Sequence, residues 1–228
     1  MISLPAQVLE ISGTDAAAFA HAQFSSDVLA LPDGQWQWSA WLSPQGRVRA
    51  FFHLSRRAAD DIVLTLRGGD AEWLRAELSR FVFRAKVQLS ATTGPTAQTS
   101  KLDDIRAGIP EIDAELHDQF LPQWIGLDRL GAVSVSKGCY PGQEIMARLH
   151  FKGGNKRSLY RIGSADPLTT GATLRDTQTG EEAGSVLQCA RADSDRFEAL
   201  ASLIDAKAQA QLRADPQSIA IRQIEHFG

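Results

Sequence analysis

Between Gln35 and Leu54 the chain changes side-chain character at nearly every position. Trp36, Trp38, Ala40 and Leu42 alternate with Gln35, Gln37, Ser39 and Trp41; after Ser43-Pro44-Gln45-Gly46 the alternation resumes at Val48, Ala50, Phe52 and Leu54. A period of two is that of a pleated strand, because successive side chains point to opposite faces of a sheet. The break, which holds both Pro and Gly, reads as a turn. The two runs therefore predict an antiparallel hairpin, and that commits the first half of the chain to an antiparallel sheet.

The flanking segments fill out that sheet. Gln7–Ile11 and Ile62–Leu66 read as strands, as does Val82–Leu89. Gly13-Thr14-Asp15 supplies a turn and an N-cap for a helix through Ala16, Phe19, Ala20 and Gln23. Gly68-Gly69-Asp70 opens a second helix with Trp73, Leu74, Leu78 and Phe81 on its apolar face. Ala91–Ser100 has no large apolar residue and carries Gly94-Pro95, the composition of a linker. Leu102–Ala107 reads as a short helix, followed by Gly108-Ile109-Pro110 and an irregular stretch to Leu130. Beyond Lys152-Gly153-Gly154-Asn155, the apolar stretches Leu159–Ile162, Ser185–Cys189, Ala199–Ile204 and Ile219–Ile224 are separated by Gly, Asp, Pro and Thr, as in a small all-β unit. The expectation is an α+β domain over 1–152, with a linker near 91–100, and a second domain over 153–228.

Composition narrows the function classes. Lys plus Arg number 24 against 27 Asp plus Glu, which argues against a polybasic nucleic-acid binder. No apolar run is long enough to span a membrane, and Met1-Ile2-Ser3-Leu4-Pro5 has no basic leader, so a cytoplasmic protein is expected. Cys139 and Cys189 are the only cysteines and form no CxxC pair, so no self-contained metal site is expected.

One segment concentrates chemistry: Ser136-Lys137-Gly138-Cys139-Tyr140-Pro141-Gly142-Gln143-Glu144-Ile145-Met146-Ala147-Arg148-Leu149. Pro141 suits the first turn of a helix running through Glu144 to about His150. Cys139 then precedes a helix N-terminus and lies two residues from Lys137, and both influences favour a thiolate. A lone cysteine is also commonly a small buried hydrophobe, and local physics leaves both readings open. Cys189, beside Val186 and Leu187, reads as core. Lys156 and Arg157 can hold an anionic group or lie solvated. The five histidines show no metal-ligand spacing, and His53 and His150 read as structural or surface residues. The three hairpin tryptophans suit core packing or an aromatic wall for a flat ligand.

Lys137–Arg148, KGCYPGQEIMAR, resembles the K-G-C-Y-x-G-Q-E signature of the YgfZ family, which belongs to the superfamily of the glycine-cleavage T-protein, a folate-dependent aminomethyltransferase. Ala107-Gly108-Ile109-Pro110, Gln119-Phe120-Leu121-Pro122-Gln123, Leu127-Asp128, Gly131 and Gly153-Gly154-Asn155-Lys156-Arg157 follow the order seen in that family. Ile11-Ser12-Gly13-Thr14-Asp15-Ala16, Gln23 and Asp27-Val28 resemble its opening strand and helix. The resemblance implies a folate-binding-type domain of antiparallel sheets with helices and a C-terminal β-barrel. It further implies tetrahydrofolate or a related folate as cofactor, and an accessory role in iron–sulfur cluster assembly or repair. The implied partners are iron–sulfur client enzymes, including enzymes that modify tRNA; neither direct nucleic-acid binding nor a membrane role is expected.

Cys139 is the implied functional thiol, with Lys137, Gln143 and Glu144 beside it. Tyr140, Gly142, Arg148, Lys156 and Arg157 are the implied cofactor-binding residues. A ligand-binding concavity between the Trp36–Phe52 hairpin and Lys137–Arg148 is expected, with Arg148, Lys156 and Arg157 forming its anion-binding edge. The chain also departs from the pattern. Arg47–Phe52 holds no carboxylate where the aminomethyltransferases carry a catalytic Asp, which argues against a classical enzyme; a folate-dependent one-carbon transferase is the alternative. Arg106 stands where the family often has Glu, and Ala6 and Ser100 stand where folate-associated aromatics fall. The stretch between Leu89 and Arg106 is brief where longer members place a further subdomain.

Overall fold

The computed structural model describes residues 5–95, 99–216 and 218–227. The chain divides into two compact units: Met1–Ala97, Ile112–Gln119 and Leu130–Gly153 form the first, and Gln98–Glu111, Phe120–Arg129 and Gly154–Gly228 the second. Residues 98–111 and 120–129, grouped by sequence with the first domain, pack with the second unit.

The first unit holds a five-stranded antiparallel sheet in the order β2-β3-β4-β1-β5. Its strands are β1 (Ala6–Ser12), β2 (Gln35–Leu42), β3 (Val48–Ala58), β4 (Asp61–Leu66) and β5 (Gln88–Gly94). The hairpin is β2–β3, with Trp38 opposite His53 and Ala40 opposite Phe51. One sheet face buries Leu9, Ile11, Trp41, Phe52, Leu54, Ile62 and Leu64 in a core completed by Phe19 and Ala20 of α1 (Ala16–Gln23) and by Leu74 and Leu78 of α2 (Ala71–Ser79). Apolar area removed from water contributes about 25 cal/mol per Å², so these wholly buried side chains anchor the unit. α2 starts where it does because the Asp70 carboxylate accepts from the backbone N–H of Glu72 (2.7 Å) and Trp73 (3.3 Å).

Two sequence expectations change here. The strand read over Val82–Leu89 begins only at Gln88, since residues 81–87 carry no strand pairing and Phe83 lies 85% exposed. The expected linker at 91–100 is in part strand: Ala91–Gly94 pairs with β1 as the end of β5. β5 lies at a sheet edge with alternating exposed positions, so it needs no large apolar residues. Residues 96–98 lie outside the described residues.

In the second unit, six antiparallel strands close into a barrel in the order β10-β11-β6-β9-β8-β7, with β10 paired to β7. They are β6 (Arg157–Ser164), β7 (Thr173–Asp176), β8 (Glu182–Asp193), β9 (Arg196–Ile204), β10 (Leu212–Ala214) and β11 (Ile219–His226). Tyr160, Ile162, Leu174, Val186, Ala201, Leu203 and Leu212 fill it. α3 (Lys101–Ala107) packs against β8 and β9. It opens with a reciprocal Ser100–Asp103 capping box and ends on left-handed Gly108. The sequence-based fold class, an α+β folate-binding-type domain and a β-barrel, is the one observed.

Candidate functional site

The signature segment belongs to the first unit and is anchored by its own lysine. Lys137 is buried, and its ammonium donates to the backbone carbonyls of His21 (2.5 Å), Phe24 (2.5 Å) and Ser26 (2.9 Å). His21 lies in the last turn of α1 and Phe24 is its C-cap, so Lys137 places a cation on carbonyls that a helix end leaves unpaired. The ammonium also sits 4.8 Å from the Tyr140 ring centroid. Burial pulls the Lys137 pKa down to about 8, partly opposed by Asp27. The Tyr140 hydroxyl donates to Ser134 O (2.8 Å), and burial pushes its pKa up to about 12.

The remaining residues close the loop. Gln143 Nε2 donates to the carbonyl of Lys137 at 2.9 Å, tying the two ends of the Lys137–Gln143 loop together. Upstream, Ser134 N–H donates to Ser25 O (2.8 Å) and Ser25 Oγ to Ala132 O (2.7 Å), while the Ser26 and Ser39 hydroxyls bond at 2.7 Å. Gly142 adopts φ 80°; a Cβ there would lie 2.6 Å from Gly46 Cα and 2.7 Å from Ser43 O. Only glycine fits, because the backbone of the signature presses on the turn of the β2–β3 hairpin. Cys139, at the outer edge of this braced loop, is exposed.

The expected activation of Cys139 is revised on two counts. The fourth helix, α4 (Gln143–Lys152), begins at Gln143, with Pro141 and Gly142 forming a turn before it. Pro141 is therefore outside the helix, and Cys139 lies beyond the first turn in which a helix end acts strongly. The Lys137 ammonium is committed to three carbonyls, which makes it an anchor for the thiol's loop. Glu144 is exposed in the first turn of α4.

At the hairpin turn the signature leaves no space for a ligand, since a Cβ on Gly142 would meet Gly46 Cα at 2.6 Å. Arg148 is exposed on α4. Lys156 and Arg157 fall in the second unit; Lys156 is exposed, and Arg157 pairs with Glu182 (2.7 Å) and lies 5.2 Å from the Trp124 ring.

The hairpin does carry an aromatic cluster, built of two stacked pairs whose tryptophans stand edge to face at 84°. Trp36, Trp38, Phe51 and His53 share one face of the hairpin, Trp36 stacking on His53 (4.0 Å, 27°) and Trp38 on Phe51 (5.0 Å, 29°). Trp36 remains 51% exposed. Burial, then Arg67, lowers the His53 pKa, favouring a neutral ring. Within Arg47–Phe52, Arg49 lies 4.6 Å from the Trp41 ring and pairs with Glu77 (3.3 Å) and Asp118 (3.2 Å). Sequence spacing held no sign of this clamp, whose parts come from four separate segments.

Comparison with known proteins places this geometry. No protein-family profile matches the chain. It is 47% identical over 92 residues to the tRNA-modifying protein YgfZ of Serratia proteamaculans, a match spanning 39% of this chain and 28% of that protein. An uncharacterized protein of Haemophilus influenzae is 25% identical over 223 residues, covering 76% of this chain and 80% of its own length. The crystal structure of the glycine cleavage system aminomethyltransferase T from Bartonella henselae superposes with a TM-score of 0.65, over 97% of this chain and 83% of that one, at 16% identity. Over the 92 matched residues the chain is similar to YgfZ. Its fold is that of the T-protein, and Lys137–Glu144, the segment that resembles the YgfZ signature, is the braced, thiol-bearing loop described above. No helix among the described residues is long and apolar enough to cross a membrane.

Proposed function

We propose that this chain is a member of the YgfZ family and a cytoplasmic, folate-binding accessory protein of iron–sulfur cluster assembly or repair, supporting iron–sulfur enzymes that include tRNA-modifying ones. The observation that carries the reading is the exposed Cys139 on a loop held by Lys137, Tyr140, Gly142 and Gln143. A single thiolate can ligate a metal transiently, form a mixed disulfide or accept a persulfide, but cannot hold a cluster alone. Among the described residues no group of three His, Cys, Asp or Glu side chains could hold a metal ion, so the cluster is cargo in this reading.

Folate suits the hairpin's aromatic face. A pterin and an aminobenzoyl ring are flat, and Trp36, Trp38, Phe51 and His53 offer stacking surface with one exposed indole. Exposed Arg148 is a candidate for the glutamate end. When bound, folate would supply a one-carbon carrier. Aminomethyl transfer is the weaker reading, because Arg47–Phe52 holds no carboxylate where that chemistry is expected to need one.

Two measurements test the proposal. Titrating the protein with tetrahydrofolate should quench Trp fluorescence saturably, and Trp36→Leu should remove most of that quench. In cells lacking the gene, wild-type protein should restore the activity of iron–sulfur enzymes that thiomethylate tRNA, whereas Cys139→Ser at equal abundance should not. Full rescue by Cys139→Ser would make the thiol structural.

A further inference from the structure

The first unit contains a second feature that neither Cys139 nor the hairpin's aromatic face uses. A solvent-open cavity of about 520 Å³ lies between the turn leading into α2 and residues 113–117, within the size range of small-molecule sites. Trp73 and His117 line it with rings 4.1 Å apart and inclined at 31°. Asp70, Asp113 and Glu115 supply its acidic lining.

The cavity is built into the backbone. Ile112 N–H donates to Arg67 O (2.8 Å), and Gly69 N–H donates to the Asp113 carboxylate (2.9 Å). Gly68, at φ 76°, leaves no room for a Cβ, which would meet Ile112 N at 2.8 Å. The two walls are thus stitched together at their base.

Its charge is one-sided. Burial and then the Arg49 charge lower the His117 pKa, so the ring is neutral near pH 7 and adds no cation. Asp70 caps α2 and offsets the positive helix end that would otherwise draw an anion. The same indole already interacts with one planar cation: the Arg49 guanidinium lies 5.5 Å from the Trp73 ring, held by Glu77 and Asp118. The cavity offers the same combination, an aromatic surface with carboxylates, to a ligand from solvent.

We infer that the Trp73–His117 cavity is a binding site for a planar guanidinium group, carried by a small molecule or by an arginine of a partner polypeptide. A guanidinium stacks on an indole and presents paired N–H donors to carboxylates; an alkylammonium shares its charge but not its plane. This inference stands independently of the folate reading.

The test follows the indole N–H resonances of the ¹⁵N-labelled protein, with the Trp73 signal identified by its loss in Trp73→Leu. n-Butylguanidinium, n-butylammonium and the N-acetylated peptide amide Gly-Arg-Gly, each a monocation, are titrated in turn. n-Butylguanidinium or the peptide should shift the Trp73 resonance saturably, with n-butylammonium several-fold weaker. Tighter binding of n-butylguanidinium would identify a small-molecule site, and tighter binding of the peptide a polypeptide site. Glu115→Gln, at an exposed position, should weaken binding about three- to tenfold by removing one carboxylate charge. Equal binding of n-butylammonium, no effect of Glu115→Gln, or shifts confined to Trp36 and Trp38 would overturn the inference.

Discussion

The two cysteines occupy opposite kinds of ground. Cys189 sits on β8, packed against the barrel core, where its sulfur accepts from Leu168 N–H (3.4 Å) and burial pushes its pKa up. Cys139 is exposed on a loop whose own side chains turn inward to hold it. In the barrel, regular strand pairing fixes the sulfur and limits access to it. In the signature, a buried ammonium, a buried phenol and a glycine crossing do the fixing, which frees the cysteine from any packing duty.

The contrast can be broken most directly by thiol chemistry. Iodoacetamide should alkylate Cys139 in the Cys189→Ser protein about 100-fold faster than Cys189 in the Cys139→Ser protein at pH 7.5, because access and burial both act against Cys189. Equal rates would remove the distinction.

The next effect concerns the anchor. Lys137→Met removes three hydrogen bonds and leaves the carbonyls of His21, Phe24 and Ser26 without their cation, so unfolding in urea should show a loss of about 2 kcal/mol. Cys189→Ala, which removes no such network, should cost less; the reverse order would show that the loop is held by something else.

The smallest effect is a pH dependence. The native pKa of Lys137, about 8, lies below the roughly 10.4 of an unfolded lysine, so between these values the unfolded chain binds more protons at this site. Burial of the charged form therefore costs stability below pH 8, and that cost is relieved as pH rises. The stability difference between wild type and Lys137→Met should widen by on the order of 1 kcal/mol from pH 8 to 9.5. A constant difference would mean that Lys137 titrates alike in both states.

The hairpin was legible because its period of two runs through both β2 and β3 and breaks at a Pro-Gly turn. α2 announced itself through Asp70 and an apolar stripe. β5 was obscured because an edge strand can be polar, and β7 and β10 because three or four residues set no period. The signature singled out Cys139, and the fold leaves that cysteine exposed. It could not reveal the partners of Lys137, whose carbonyls lie more than a hundred positions away. Adjacency in sequence pointed to the thiol, whereas the fold turned the ammonium toward α1.

The closed ring of β6–β11 carries a further consequence for recognition. The ring is closed through the short β7 and β10, so β8 beyond Ser185 and β11 beyond Ala220 pair with a strand on one side only. The five-stranded sheet ends on whole strands, β2 and β5. Strand addition to an entire edge strand therefore belongs to the first unit, and one of its two borders is the strand bearing Trp36 and Trp38.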